Sequence, residues 1–448
     1  MYWKHLAYFI CLFGMVKKFR PATPFLTPFL VSSYKNFTDV QLYSQIYPLW
    51  TYSYLVALIP IFFLTDALRH KPIVVLEAMS YCASHAIILW GNKVWQMQLM
   101  EITFGLSTAS DIAYVSYMYA VIDQKHFKRI TSYVRAATLF GKFLAYGSGQ
   151  LLISAHLVSY LQLHEISFGF GCITLLMACI LPSISSNMIK NKNLREVENC
   201  DQTVEINDDE RVSLNAIPST VGPGMKTYLQ NVWKHLMIFK SKRTVLKWCI
   251  WWSLGSCGSF QVQNYVQNLW ALLQQDDEAY NGITECTATL IGAIVCFFVQ
   301  YLKIDWVKCG ELVIWINSMI IAILLIVMSQ TTSAFIAYIF YIALAIIYQL
   351  LMTAASTIIA TELTTATYGL VFGSSTFVAL LLQTILTLIV VDKHGLALDI
   401  RTQFFIYGCY FGVVSVIFIF MLIQKMIGEI FVTEFTPTNQ CPEKDTLT

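Results

Sequence analysis

The sequence predicts an all-α integral membrane protein, a bundle of twelve transmembrane helices arranged as two six-helix halves. Three observations predict it. The 448 residues are 56% hydrophobic and only 12% charged, with a mean hydropathy of +0.59, whereas soluble domains carry about 25% charge. The apolar residues come in blocks of about 20, the length a helix needs to cross ~30 Å of hydrocarbon. A long hydrophilic stretch from Asn187 to Lys242 divides the blocks into two sets of six.

Apolar windows place the first six helices over 5–31, 47–65, 72–91, 95–121, 130–154 and 163–186. The first lacks a small-x-small cleavage pattern and runs into Arg20-Pro21, so it reads as a retained helix, interrupted again by Pro24 and Pro28. The second opens Tyr47-Pro48-Leu49-Trp50-Thr51-Tyr52-Ser53-Tyr54, too polar and aromatic for a lipid face. The other six lie over 244–271, 280–302, 311–329, 333–359, 366–391 and 402–425. The seventh carries Gln261-Val262-Gln263-Asn264-Tyr265-Val266-Gln267-Asn268-Leu269-Trp270, whose amides need partners at that depth. For Tyr43, Tyr47 and Trp270 the alternative is an aromatic belt at the interface. These windows divide the chain into an N-terminal half (1–186), a cytosolic linker (187–243), a C-terminal half (244–425) and a cytosolic tail (426–448). The linker contains Asn207-Asp208-Asp209-Glu210 and Gly222-Pro223-Gly224, a composition that buries little apolar surface.

Orientation follows from the basic residues of short loops. Arg69, His70 and Lys71 follow helix 2, Lys125, Lys128 and Arg129 follow helix 4, Lys190, Lys192 and Arg195 follow helix 6, and Lys303 and Lys308 follow helix 8. These exits and both termini are expected in the cytoplasm. Asn36-Phe37-Thr38 is an N-x-T glycosylation acceptor on the opposite side. The turns after helices 2 and 8 match as well, with Asp66 and Arg69 in the first and Asp305 and Lys308 in the second. Such acid and base pairs either latch the cytosolic side as the halves rock or are ordinary interfacial pairs.

A charge at mid-membrane costs about 3 kcal/mol on insertion scales, so charges inside predicted spans mark protein-lined cavities. The candidates are Glu77, Asp111, Arg135, Lys142, Glu285 and Glu311, and Lys17 and Lys18 also fall within the first helix. Asp111 is central in helix 4, with Tyr114 one turn on and Tyr117 close by. A carboxylate flanked by aromatic rings suits an organic cation or an aminated heterocycle. The alternative is a structural ion pair with Lys142 or Arg135 on helix 5.

The twelve cysteines are scattered without C-x-x-C, and no histidine stands at ligand spacing, so no metal site or disulfide framework is expected. The formal net charge of +2 does not point to nucleic acid. There is no G-x-x-x-x-G-K-[ST] and no G-x-S-x-G, so neither a pump nor an enzyme is indicated and no cofactor is expected. The partners expected are a small solute, the bilayer, and a coupling ion or counter-substrate whose gradient drives transport.

Several dispersed motifs resemble the reduced folate and thiamine carrier family of vitamin transporters, which has the major-facilitator fold. They are Arg20-Pro21 with Pro24-Phe25-Leu26, Lys35-Asn36-Phe37-Thr38, Tyr52-Ser53-Tyr54-Leu55, Leu64-Thr65-Asp66, Met97-Gln98-Leu99-Met100-Glu101, Ile112-Ala113-Tyr114, Trp251-Trp252, Tyr280-Asn281-Gly282 and Leu370-Val371-Phe372-Gly373. The resemblance spans both halves and implies alternating access about a mid-membrane site. Folate carriers resembling this chain place arginine where Asp111 stands, lysine where Gln383 stands and arginine near Ala345. Thiamine carriers are similar to it at Asp111 with Tyr114, at Trp50-Thr51-Tyr52, at Asn264, at Glu285 and at Gln383. The resemblance therefore implies a thiamine-type pocket in a multi-pass plasma-membrane protein, with Asp111 on the aminopyrimidine and the tyrosines stacked on it. Lys142 departs from the pattern, standing where thiamine carriers have an aromatic residue. The alternatives are a reduced-folate transporter with a rewired site and a non-transporting receptor or interaction protein.

Overall fold

A computed structural model describes residues 2–38, 41–68, 70–182, 243–273, 281–302, 306–363, 368–391 and 395–435. Among these residues the regular structure is helical throughout, without a strand. The first half comprises α1 (Tyr2–Lys17), α2 (Pro48–Ala67), α3 (Lys71–Trp90), α4 (Val94–Val121), α5 (Phe127–Ser154) and α6 (Tyr160–Ile180). The second comprises α7 (Arg243–Leu273), α8 (Asn281–Phe298), α9 (Trp306–Gln330), α10 (Ala334–Glu362), α11 (Tyr368–Val390) and α12 (Ile400–Phe435). A short helix, Leu26–Val31, continues α1 beyond a break, and α12 runs past residue 425 to Phe435. The expected linker falls on residues 183–242, which lie outside the described residues.

Helices α3, α6, α9, α10, α11 and α12, together with Gly282–Tyr301 around α8, are long and apolar enough to span a bilayer by length and composition. The other five depart from that standard for a reason. Helix α1 stops early at Lys17, α2 offers a shorter apolar run over Leu49–Ile61, and α4, α5 and α7 carry the charged and amide side chains singled out above. Polar groups in a span need protein or water around them, and these helices face the interior.

Within the first half α3 packs on α4 and α6, α2 on α4, and α1 on α5. Within the second, α9 packs on α12, α7 on α11, and α8 on α10. The halves meet through α5 with α8 and through α2 with α11. The twelve helices alternate in direction, giving one face that carries Asn36 and an opposite face at which α1 begins and α12 ends. A continuous apolar core runs from Ile10 and Phe13 of α1 through Tyr119 of α4 to Phe372 of α11, joining the two halves.

Candidate functional site

The site begins where α1 breaks. In an unbroken helix the Lys17 carbonyl would accept from the N–H of residue 21, but Pro21 has none, and proline pushes the residue before it out of the helical region. Arg20 supplies the missing donor, its Nε bonding the Lys17 carbonyl at 3.1 Å. The Ala22 N–H donates to Ser167 Oγ of α6 at 3.1 Å. Side chains thus satisfy the opened backbone, the condition for a break at membrane depth. Helix α5 seats the segment through two glycines: a Cβ at Gly141 would stand 2.3 Å from the Met15 carbonyl oxygen, and one at Gly149 would stand 2.6 Å from that of Pro21.

At the break, four charges from three helices meet. Lys17, only 3% exposed, pairs with Asp111 of α4 and lies 2.7 Å from Glu77 of α3. Lys18 reaches the second Asp111 oxygen at 2.9 Å. The Lys17 ammonium also stands 4.3 Å from the Tyr114 ring centroid, and the Tyr114 hydroxyl donates to the Ile10 carbonyl at 2.8 Å. Two ammonium groups and two carboxylates balance, so Asp111 is neutralised by α1 before any ligand arrives. Its ion-pair partners are Lys17 and Lys18; Arg135 instead donates to Ser356 Oγ at 2.6 Å. Lys142 and Glu285 interact electrostatically across the α5–α8 contact without a direct ion pair, and Glu285 accepts from the Tyr341 hydroxyl at 2.7 Å.

Towards the Asn36 face the halves part around a cavity of about 510 Å³, within the range of small-ligand sites. Arg20 and Thr23 at the break, Tyr47 just before α2, Trp50 of α2, and Tyr81 and His85 of α3 form part of its wall. Glu101 and Phe104 of α4 and His164 of α6 continue it, and Asn264, Asn268, Gln383 and Thr387 close it from the second half. Four residues singled out from sequence, Tyr47, Trp50, Asn264 and Gln383, therefore line one space. The Trp50 indole N–H bonds Thr108 Oγ1 at 3.3 Å, and Tyr47 shares a 2.7 Å hydrogen bond with Thr27.

Asp111, Tyr114, Tyr117, Lys142 and Glu285 are not part of this wall. Tyr117 is fully buried, its hydroxyl donating to the Pro182 carbonyl at 2.9 Å. Arg69 lies outside the described residues, as do the side chains of Asp66 and Lys308 and the whole of Asp305. Asn36 is exposed on its face, with its side-chain amide donating to the Ser33 carbonyl at 3.1 Å.

Arg20, Glu101, Tyr81, His85 and His164 were not singled out as site residues by sequence reasoning. The Arg20 guanidinium stacks 3.9 Å from the Tyr81 ring centroid and forms no ion pair among the described residues. Glu101 is 4% exposed, and its carboxyl has no hydrogen-bond partner among them. In the sequence Arg20 stands out as part of a proline break and of a dispersed motif, and Glu101 as part of a dispersed motif. Both are nevertheless charges inside an expected span, and that signal was available.

On the opposite face the halves close on aromatic rings. Tyr119 lies with its centroid 5.4 Å from Tyr368 and 5.8 Å from Phe372 of α11, Phe127 of α5 contacts Tyr368 at 6.1 Å, and Trp252 of α7 contacts Phe372 at 5.2 Å. Lys128 adds a bond across the halves, donating to the Leu302 carbonyl at 2.6 Å. The bundle is thus open towards the Asn36 face and sealed towards the other.

Comparisons with known proteins agree with this architecture. A family model described as reduced folate carrier matches residues 1–406. Folate transporter 1 of Caenorhabditis elegans is 46% identical over 431 residues, covering 96% of this chain and 94% of its own. Human thiamine transporter 1 is 37% identical over 438 residues, covering 92% and 88%. Among solved structures, the major facilitator proton:xylose symporter XylE bound to 6-bromo-6-deoxy-D-glucose superposes with a TM-score of 0.64 at 11% identity, covering 92% of this chain and 94% of that one. At that identity the likeness speaks for the fold.

Proposed function

The chain belongs to the reduced folate carrier family, and we propose that it carries an anionic vitamin of the reduced-folate type across the plasma membrane by alternating access. The observation that carries this reading is the charge of the cavity. Arg20 presents a guanidinium without a carboxylate partner among the described residues, whereas Asp111, the acid that would attract a cation, is held by Lys17 and Lys18. A guanidinium fork suits a carboxylate. The pteridine of a folate is flat and bears an amino-pyrimidine edge, which suits a wall that carries the Glu101 carboxyl together with the Trp50 and Phe104 rings. Its glutamate tail then lies towards Arg20, with Asn264, Asn268 and Gln383 closing the polar edge from the second half.

Transport follows as the aromatic seal on the far face opens and the cavity closes on the Asn36 face. The basic loops support a cytoplasmic position for both termini and for the 187–243 linker, with halves at 1–186 and 244–425 and a tail at 426–448. Asp66 with Arg69 and Asp305 with Lys308 are then latches on that cytoplasmic face.

The test is uptake of a radiolabelled reduced folate and, separately, of thiamine into cells expressing the chain. Saturable folate uptake is expected. Arg20→Ala should lower its efficiency by about 10- to 100-fold, the equivalent of a charge-assisted hydrogen bond worth about 1.5–3 kcal/mol. Saturable thiamine uptake without folate uptake would overturn the reading and favour the thiamine alternative, for which the Glu101 carboxyl argues. Folate binding without uptake in proteoliposomes would instead favour a receptor.

A further inference from the structure

Behind the Arg20 side of the cavity, α3 and α6 place polar rings in a row. Arg20 stacks on Tyr81, the Tyr81 hydroxyl lies 3.1 Å from Nε2 of His85 one turn along α3, and the His85 ring centroid is 6.3 Å from that of His164 on α6. Both histidines line the cavity, yet they are only 7% and 2% exposed. Both ring nitrogens of His164 lack a hydrogen-bond partner among the described residues. Phe29 packs on His164 with centroids 4.4 Å apart, a contact any aromatic ring would make. Packing therefore does not account for imidazole at these positions, and an unsatisfied buried polar group costs about 1–3 kcal/mol.

We propose that His85 and His164 form the binding site of a co-transported proton, taken up together with the anionic substrate; the proposal rests on the anionic reading above. The proton adds to an imidazole lone pair, so no redox partner or leaving group is involved. The groups facing the pair are Arg20 at the α1 break, Lys35 beyond the short helix, Tyr81 of α3 and Glu101 of α4 on the same cavity. Arg20 and Lys35 repel a proton on the pair. A substrate carboxylate at Arg20 offsets one of those charges, so proton and substrate each strengthen the binding of the other, and by linkage the effect is reciprocal. A proton gradient directed inward from the Asn36 face then drives accumulation of the anion.

The test uses purified full-length protein in detergent and a reduced folate as ligand, with Kd measured from about pH 5.5 to about pH 8, where free imidazole titrates. Proton uptake on binding is read in weak buffer with a pH dye. The wild type should bind up to about tenfold more tightly per unit fall in pH and take up about one proton per folate. The His85→Gln/His164→Gln double variant should show a flat profile relative to its own affinity. Folate binding by the wild type with a flat pH profile and no proton uptake overturns this proposal and leaves the anionic-substrate reading standing. A full pH slope retained in the double variant also overturns it. Should that variant fail to fold, the wild-type proton count alone decides. Absence of folate binding by the wild type defeats the substrate reading and this proposal together.

Discussion

The buried Lys17 pairs with the partly exposed Asp111, a contact that ties α1 to α4 at the point where α1 ends. Removing one partner of a fully buried pair costs about 3–5 kcal/mol because the other is left charged and buried, and the loss here is smaller because the Asp111 side chain is about a third exposed and Lys17 keeps Glu77. Asp111→Asn should still lower the thermal stability of the detergent-purified protein, since among the described residues Lys18 loses its only ion-pair partner and Lys17 keeps Glu77 alone. Adding Lys18→Gln should recover part of the loss. A melting temperature unchanged in Asp111→Asn would mean that the network contributes nothing to folding.

The aromatic seal leads to a conformational expectation. An aromatic pair is worth about 0.5–1.5 kcal/mol beyond its buried area, so Phe372→Ala, which removes contacts with Tyr119 and Trp252, should shift the closed-to-open balance of that face severalfold. Spin labels at the exposed Lys125 and Tyr301 report it. A longer-distance population should grow in Phe372→Ala. An unchanged distance distribution would show that the rings pack without gating.

The helices were legible because their information is local: apolar blocks of span length, charged loops between them, and prolines where α1 breaks. The site was legible only in part, because six helices and the α1 break build it and its depth is tertiary. Trp50 and Asn264 are marked by polar and aromatic runs unsuited to a lipid face, and Gln383 by the resemblance to the folate and thiamine carriers. Asp111 drew notice as a central charge, but its pairing with Lys17 and Lys18 depends on how α1 meets α4, which no periodicity encodes. His85 and His164 do not stand out in the sequence because a neutral imidazole does not register as a charge, although His85 interrupts a largely apolar stretch.

The exposed Asn36 has a φ of 54°, a region that asparagine tolerates better than most residues, and Thr38 completes the acceptor. Glycosylation takes place only on the lumenal side of the secretory pathway, so it reports orientation. Glycosidase treatment should increase the electrophoretic mobility of the wild type and leave Thr38→Ala, which keeps Asn36 itself, unchanged. A wild-type band insensitive to glycosidase would remove this support for placing the Asn36 face outside.

Gly141 of α5 offers a test of how α1 is seated. A Cβ there would meet the Met15 carbonyl oxygen at 2.3 Å, a backbone atom that cannot swing aside, so α1 would have to move as a body and carry Lys17 away from Glu77 and Asp111. Overpacking of this kind costs about 1–3 kcal/mol, and strain on the ion pairs adds to it. Gly141→Leu should accordingly reduce folded yield and surface expression. Gly169→Ala is the control, since a Cβ at Gly169 has no neighbour within 4 Å, and alanine there should match the wild type or improve slightly on it through helix propensity. Equal surface expression of Gly141→Leu and Gly169→Ala would show that α1 has room to shift, and that its approach to α5 does not set the position of Arg20.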